Sequence, residues 1–200
     1  MGFGAMFLGF MLLYDAQIAL RHQGEEAVYA ILDIFPDVLG WILLFVGLKA
    51  LTERAENFRF LRNSTLFLLV LSLFSLAKET LLYSVFYLPD GSTQALSGAV
   101  FDVCEHLLTL AFIYLLFQKT TSFCNEKQEK KLSSLHKAMS FFVIGEGILF
   151  VLAKVARLVF TAETTAVYVN ALSMLDFLFW ICLVWYGAIA LFRAMMRFSD

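Results

Sequence analysis

Charge is scarce in this chain. Only 16% of its 200 residues are Asp, Glu, Lys or Arg, against about 25% in ordinary globular domains. Proline occurs twice, and the three cysteines (Cys104, Cys124 and Cys182) show neither C-x-x-C spacing nor even pairing. So apolar a chain is not a disordered one. The cysteine pattern excludes a disulfide scaffold and fits free thiols. A net charge of −2 removes the electrostatic basis for binding DNA or RNA, so no nucleic-acid partner is expected. No Lys or Arg precedes Arg21, and the apolar start lacks a small-x-small cleavage site. The N-terminal stretch therefore reads as a retained membrane segment and not a signal peptide. G-x-S-x-G, H-E-x-x-H, P-loop and dinucleotide fingerprints are all missing, so no cofactor is expected and the balance is against an enzyme.

Apolar side chains fill the space that charge leaves. Hydrophobic residues make up 60% of the chain and phenylalanine alone supplies 22 positions. A soluble protein of this size could not bury so much apolar surface, so lipid is the expected solvent. Six apolar stretches approach the roughly 20 residues needed to cross a bilayer core: 3–20, 34–51, 65–88, 98–117, 138–160 and 166–192. The connections between them are too short for another domain. The expected fold is all-α, one integral membrane domain over 1–200 built as a bundle of six transmembrane helices. LAKETLL at 76–82 and LAKVARL at 152–158 occupy similar places in the third and fifth stretches, which suggests three tandem helical hairpins.

Basic residues set the orientation. Lys49, Arg54, Arg59 and Arg62 follow the second stretch; Lys119, Lys127, Lys130, Lys131 and Lys137 follow the fourth; Arg193 and Arg197 follow the sixth. Opposite them stands Arg21, after the first. The positive-inside asymmetry places both termini in the cytoplasm of a multi-pass protein of the cell membrane. The lipid bilayer is then the obligatory partner, and a homo-oligomer is compatible with this arrangement.

The segment DIFPDVLGWILLFVGLKAL, from Asp33 to Leu51, has its own local logic. Asp33 can cap a helix whose first turn holds Pro36, where the missing N–H costs nothing. Asp37 follows at i+4, near the positive end of the helix dipole. Gly40 and Gly47 share a face and allow a neighbouring backbone to approach closely. The D-x-x-P-D-x-x-G pattern, followed by an apolar glycine-containing helix, resembles an uncharacterised family of small bacterial multi-pass membrane proteins. The resemblance covers about twenty residues. It implies a membrane location and a bacterial source, and no chemistry.

Ionisable groups at membrane depth are expensive and point to function by default. The acids are Asp15, Asp33, Asp37, Glu79, Asp102, Glu105, Glu146 and Asp176; the bases are Lys78, Lys154 and Arg157, with His106 beside them. At about 1.5 Å of rise per residue, Asp37, Asp15, Asp102, Arg157 and Lys154 fall within roughly 10 Å of the outer ends. His106, Glu79, Lys78 and Asp176 lie near the midplane, and Glu146 lies at roughly 20 Å. Acids outnumber bases, so the surplus carboxylates must be protonated, hydrated or neutralised by a cation. The leading expectation is a charged chamber in the outer half of the bundle, which binds or passes a small polar or cationic solute with proton coupling as an option. One alternative is an assembly or sensory protein whose buried charges only specify helix packing. The other is an intramembrane enzyme using Asp102 and His106. D-x-x-E-H at 102–106 has no second His or Cys group to complete a metal site, so no metal is expected.

Overall fold

The computed structural model describes residues 2–13, 17–21, 28–33, 37–80, 96–159 and 166–198. Six α-helices carry the architecture: α1 (Gly2–Leu12), α2 (Asp37–Thr52), α3 (Arg59–Thr80), α4 (Leu96–Glu126), α5 (Lys130–Val159) and α6 (Ala166–Phe198). Two short strands, β1 (Gln17–Arg21) and β2 (Val28–Asp33), form an antiparallel hairpin between α1 and α2. The chain divides into two compact units, Met1–Thr109 and Leu110–Asp200.

The first expected helix is corrected. The apolar stretch 3–20 is helical only to Leu12, and 17–20 belong to β1. Eleven residues rise about 16 Å, roughly half a bilayer core. Gln17–Arg21 (QIALR) does not alternate polar and apolar side chains, and its strand state depends on a partner. Val28–Asp33, rich in β-branched and aromatic residues, supplies that partner, with Gln17 opposite Asp33 and Ile18 opposite Leu32. Asp33 is the last described residue of β2 and α2 is described from Asp37, so the expected cap falls outside the described residues. Pro36 lies outside the described residues.

Within the first unit, α1 and α2 run antiparallel through reciprocal glycines. A Cβ at Gly2 would stand 2.8 Å from the Gly47 carbonyl oxygen, and one at Gly9 would stand 2.7 Å from that of Gly40. The backbones thus meet where side chains would otherwise hold them apart. Helix α1 against α2 and strand β1 against β2 are both antiparallel pairs. A 3-10 turn at Glu56–Phe58 then leads into α3.

The second unit is a three-helix arrangement from Leu110 onward. The turn between α4 and α5 is three residues long and closes as a Schellman motif. Glu129 N–H donates to the Cys124 carbonyl at 2.8 Å and Gln128 N–H to that of Asn125 at 2.9 Å. Gln128 takes the left-handed position at φ 60°, where glycine is the usual residue. Helices α5 and α6 are antiparallel, with the Phe142 ring stacked on Phe179 at 4.7 Å. At one end of this pair, Arg197 meets Glu129 at 2.5 Å. The buried positions Leu132, His136, Met139, Val143, Glu146, Phe150 and Ala153 follow one another at alternating intervals of four and three, the spacing of a coiled-coil seam.

Among the described residues, four helical segments are long and apolar enough to cross a membrane: Glu56–Lys78, Val100–Glu126, Lys130–Ala156 and Val167–Phe198. Their outward positions carry large apolar side chains, such as Phe67 and Val70 on α3, Phe141 and Ile148 on α5, and Met174 and Phe177 on α6, all exposed. A water-soluble monomer does not leave apolar surface on this scale uncovered. The chain has the build of a helical multi-pass membrane protein. Helices α4 and α5 overrun the apolar stretches because the polar residues that border them, Gln, Lys, Glu and Ser, continue a helix readily in water.

Candidate functional site

Two polar clusters stand out, one in each unit. In the first, α3 presents Ser75 and Lys78 to α4. The Lys78 ammonium forms an ion pair with Asp102 and lies 5.1 Å from the centre of the Phe101 ring. One turn away, the Ser75 hydroxyl donates to Glu105 Oε2 at 2.9 Å, and Phe74 packs against Phe101 with centroids 5.0 Å apart. Spacing explains the grouping. Ser75 and Lys78 are i,i+3 on α3, and Phe101, Asp102 and Glu105 occupy one side of α4. The Lys78 side chain is 2% exposed and that of Asp102 is 30% exposed. The ammonium is therefore sealed between a carboxylate and an aromatic face, while the carboxylate keeps access to its surroundings. Such a pair holds two helices in register, and removing either partner strands the other.

In the second unit the cluster is acidic. Glu146, halfway along α5, is 1% exposed. Asp176 on α6 is half-buried and one of its carboxylate oxygens is enclosed. The stacking of Phe142 on Phe179 fixes their relation. Glu146 lies one turn beyond Phe142, and Asp176 lies one turn before Phe179 on the antiparallel helix, so the two residues fall at about the same level along the helix pair. Lys154 is eight residues further along α5, about 12 Å of rise away, with its ammonium 5.3 Å from the centre of the Phe150 ring. It does not reach the level of the two acids.

Other expected site residues are dispersed. Asp37 opens α2, half-buried with Oδ1 enclosed. Gly40 and Gly47 form the α1–α2 contact. His106 is half-buried on α4, one turn after Asp102. Asp15 falls outside the described residues, and the side chains of Asp33, Glu79 and Arg157 are not described. Hydroxyl groups in the apolar segments back-bond to their own helices: Thr120 to the Leu116 carbonyl at 2.8 Å, Thr121 to Phe117 at 2.7 Å and Ser173 to Val169 at 2.9 Å. A hydroxyl so engaged is a helix accessory and not an activated nucleophile. Among the described residues, no group of three His, Cys, Asp or Glu side chains is placed to hold a metal ion.

One residue escapes sequence reasoning. His136 belongs to a polar connection if helices are drawn only where the sequence is apolar. Because α5 starts at Lys130, His136 instead falls in the buried seam, fully enclosed, with its ring 5.7 Å from that of Phe117. Neither ring nitrogen has a hydrogen-bond partner. The signal was available in the four-three spacing that runs from Leu132 to Ala153.

No family model, curated protein or solved structure matches the chain. Its function is therefore argued from these residues alone.

Proposed function

We propose that this multi-pass membrane protein binds a small cationic or polar solute, or a proton, at the Glu146–Asp176 pair, and that its basic helix ends face the cytoplasm. The observation that carries the reading is the depth and level of the two acids. Two acidic residues from antiparallel helices fall at about one level deep within apolar segments, with Lys154 about 12 Å away along α5. A cation or a proton shared by two carboxylates at one level would offset their charge in a medium of low dielectric constant, which is what a cation-binding or proton-coupled site requires.

With α1 and α2 both too short to cross, four spans stand in place of six, an even number that is compatible with the expected orientation. In this reading, four spans starting at Glu56 would leave the 54–62, 119–137 and 193–197 basic groups on one side. The α1–α2 hairpin returns the Gly2 end beside Gly47, hence to the same side. Helices α1 and α2 then act as a re-entrant or interfacial pair, the usual role of apolar helices too short to cross.

The test uses detergent-solubilised protein titrated with monovalent metal ions, divalent metal ions, protons and small organic cations. A bound solute raises the melting temperature by mass action, about 2.7 kcal/mol at one hundred times the Kd. The expected result is a shift with at least one of these, abolished by Glu146→Gln and weakened by Asp176→Asn. The Lys78–Asp102 ion pair favours a second reading, in which the buried charges only fix helix packing. That reading prevails if no solute shifts the wild type and Glu146→Gln simply melts higher.

A further inference from the structure

One end of the second unit carries a dense collar of positive charge. The last turns of α4, the first turns of α5 and the last turns of α6 converge there. Phe123 meets Phe198 edge-on at 5.2 Å, and Arg197 pairs with Glu129. Lys127, Lys130, Lys131, Lys137, Arg193 and Arg197 are all exposed at this end, and Lys119 is half-buried. The described acids here are Glu126 and Glu129, the second of which Arg197 engages.

The collar ends where lipid begins. Counting from the Phe142–Phe179 stack and from the Glu129–Arg197 pair, Lys137 on α5 lies level with Trp185 and Tyr186 on α6. These rings are 55% and 57% exposed, and exposed Trp and Tyr mark the boundary between hydrocarbon and headgroups. Beyond them toward the bilayer come exposed apolar residues, Phe141 and Ile144 on α5. From Lys130 to Lys137 the rise is about 10 Å, within the reach of flexible Lys and Arg stems across a headgroup layer.

We propose that this collar binds the phosphate groups of anionic phospholipids in the adjoining leaflet. Each feature matches that partner: clustered cations, few acids, an aromatic boundary at the inner edge and exposed apolar chains directly below. Juxtamembrane cations each favour an anionic surface by about fivefold. Several acting together select anionic over zwitterionic lipid strongly, and more so at low salt. The inference rests on the membrane build of the chain and is independent of any solute at Glu146.

The experiment reads lipid contact at Trp185. The Trp41→Phe/Trp180→Phe protein is reconstituted in brominated phosphatidylcholine, which quenches indole fluorescence, and unbrominated phosphatidylglycerol or phosphatidylcholine is added at equal mole fraction. Phosphatidylglycerol is expected to relieve quenching at least tenfold more effectively, and 0.5 M salt is expected to shrink the difference. Lys130→Gln/Lys131→Gln/Lys137→Gln should abolish it, while Lys154→Gln, about 25 Å of rise beyond Lys137 on α5, should leave it intact. Melting temperatures of both variants establish that each is folded. If the triple lysine variant does not fold, the salt titration of the wild-type collar decides. Equal relief by both lipids, preference that persists in the triple lysine variant, preference insensitive to salt, or loss of preference on adding millimolar inorganic phosphate would each overturn the proposal.

Discussion

Replacing Gly47 by alanine sets two well-measured effects against each other. Alanine is the better helix former by about 1 kcal/mol, so an unhindered site gains stability. At Gly47, however, the new Cβ would lie 2.5 Å from the Gly2 carbonyl oxygen, 2.6 Å from Met6 Cγ and 2.8 Å from Met6 N. Two of these three atoms are backbone and cannot turn aside, so α1 would have to move off α2 as a body. That motion also loosens the Gly9–Gly40 contact at the other end of the seam. Overpacking of this kind costs about 1–3 kcal/mol, or more when backbone must move. With backbone forced to move, the steric term lies at the upper end of that range and outweighs the propensity term, leaving a net loss of about 2 kcal/mol, a fall of about 4–8 °C in a chain this long. Gly145 is the control. Its added Cβ would meet Phe179 Cε1 at 3.5 Å, an ordinary contact, so Gly145→Ala should raise the melting temperature by about 1–3 °C. Both variants are read by thermal unfolding in one detergent. If the two shift alike, or if Gly47→Ala melts higher, the close glycine seam is not a feature of the protein.

Asp102→Asn should destabilise more than Lys78→Met, by about 3–5 kcal/mol against a smaller loss, because it leaves a 2%-exposed ammonium stranded while a 30%-exposed carboxylate can rehydrate. The double variant should recover most of the loss, and a melting series with no such recovery would refute the pairing. His136→Leu should stabilise by about 1–3 kcal/mol, since both nitrogens lack partners; a loss of stability would show that the imidazole is satisfied by something bound. Gln128→Gly should gain about 1 kcal/mol at the left-handed position, measured by melting, and no gain would contradict the Schellman turn. Cys124 is buried and should stay unreactive in the folded protein. In a Cys104→Ser/Cys182→Ser background, Asn125→Cys should label with an impermeant thiol reagent only once the inner face is opened, and Ser92→Cys should label in intact cells. The reverse pattern would invert the orientation.

Apolar length carried most of the fold into view. The cores of α2 to α6 follow from where the chain leaves water, because burial in lipid demands a helix for any long apolar run. What composition could not show is a pairing between separate segments. The strand Gln17–Arg21 exists because Val28–Asp33 lies opposite it, and nothing within 17–21 distinguishes that state from a continued helix. Helix ends in water were also illegible by hydropathy, which is why α5 begins eight residues before its apolar stretch and why His136 was missed.

The charges of the candidate site could be listed from sequence but not paired. Rise per residue ranks charges along a helix without naming the neighbour that each one faces. Depth placed Lys78 near the midplane with Glu79 and Asp176, and Asp102 nearer the outer ends; the packing of α3 on α4 nevertheless pairs Lys78 with Asp102. The Lys154 ammonium stands over the Phe150 ring, where an aromatic face supplies part of the compensation. Glu146 is the opposite case, since its place in the four-three seam of α5 is readable from sequence once the helix is started at Lys130. A heptad seam normally admits a polar residue at the expense of stability and gains a fixed register in return. One such residue would suffice for that purpose. The seam of α5 holds two, His136 and Glu146, about 15 Å apart along the helix. Register accounts for one of them; at the level of Asp176 a second acid makes Glu146 suited to hold positive charge, whereas the Lys78–Asp102 pair is already neutralised.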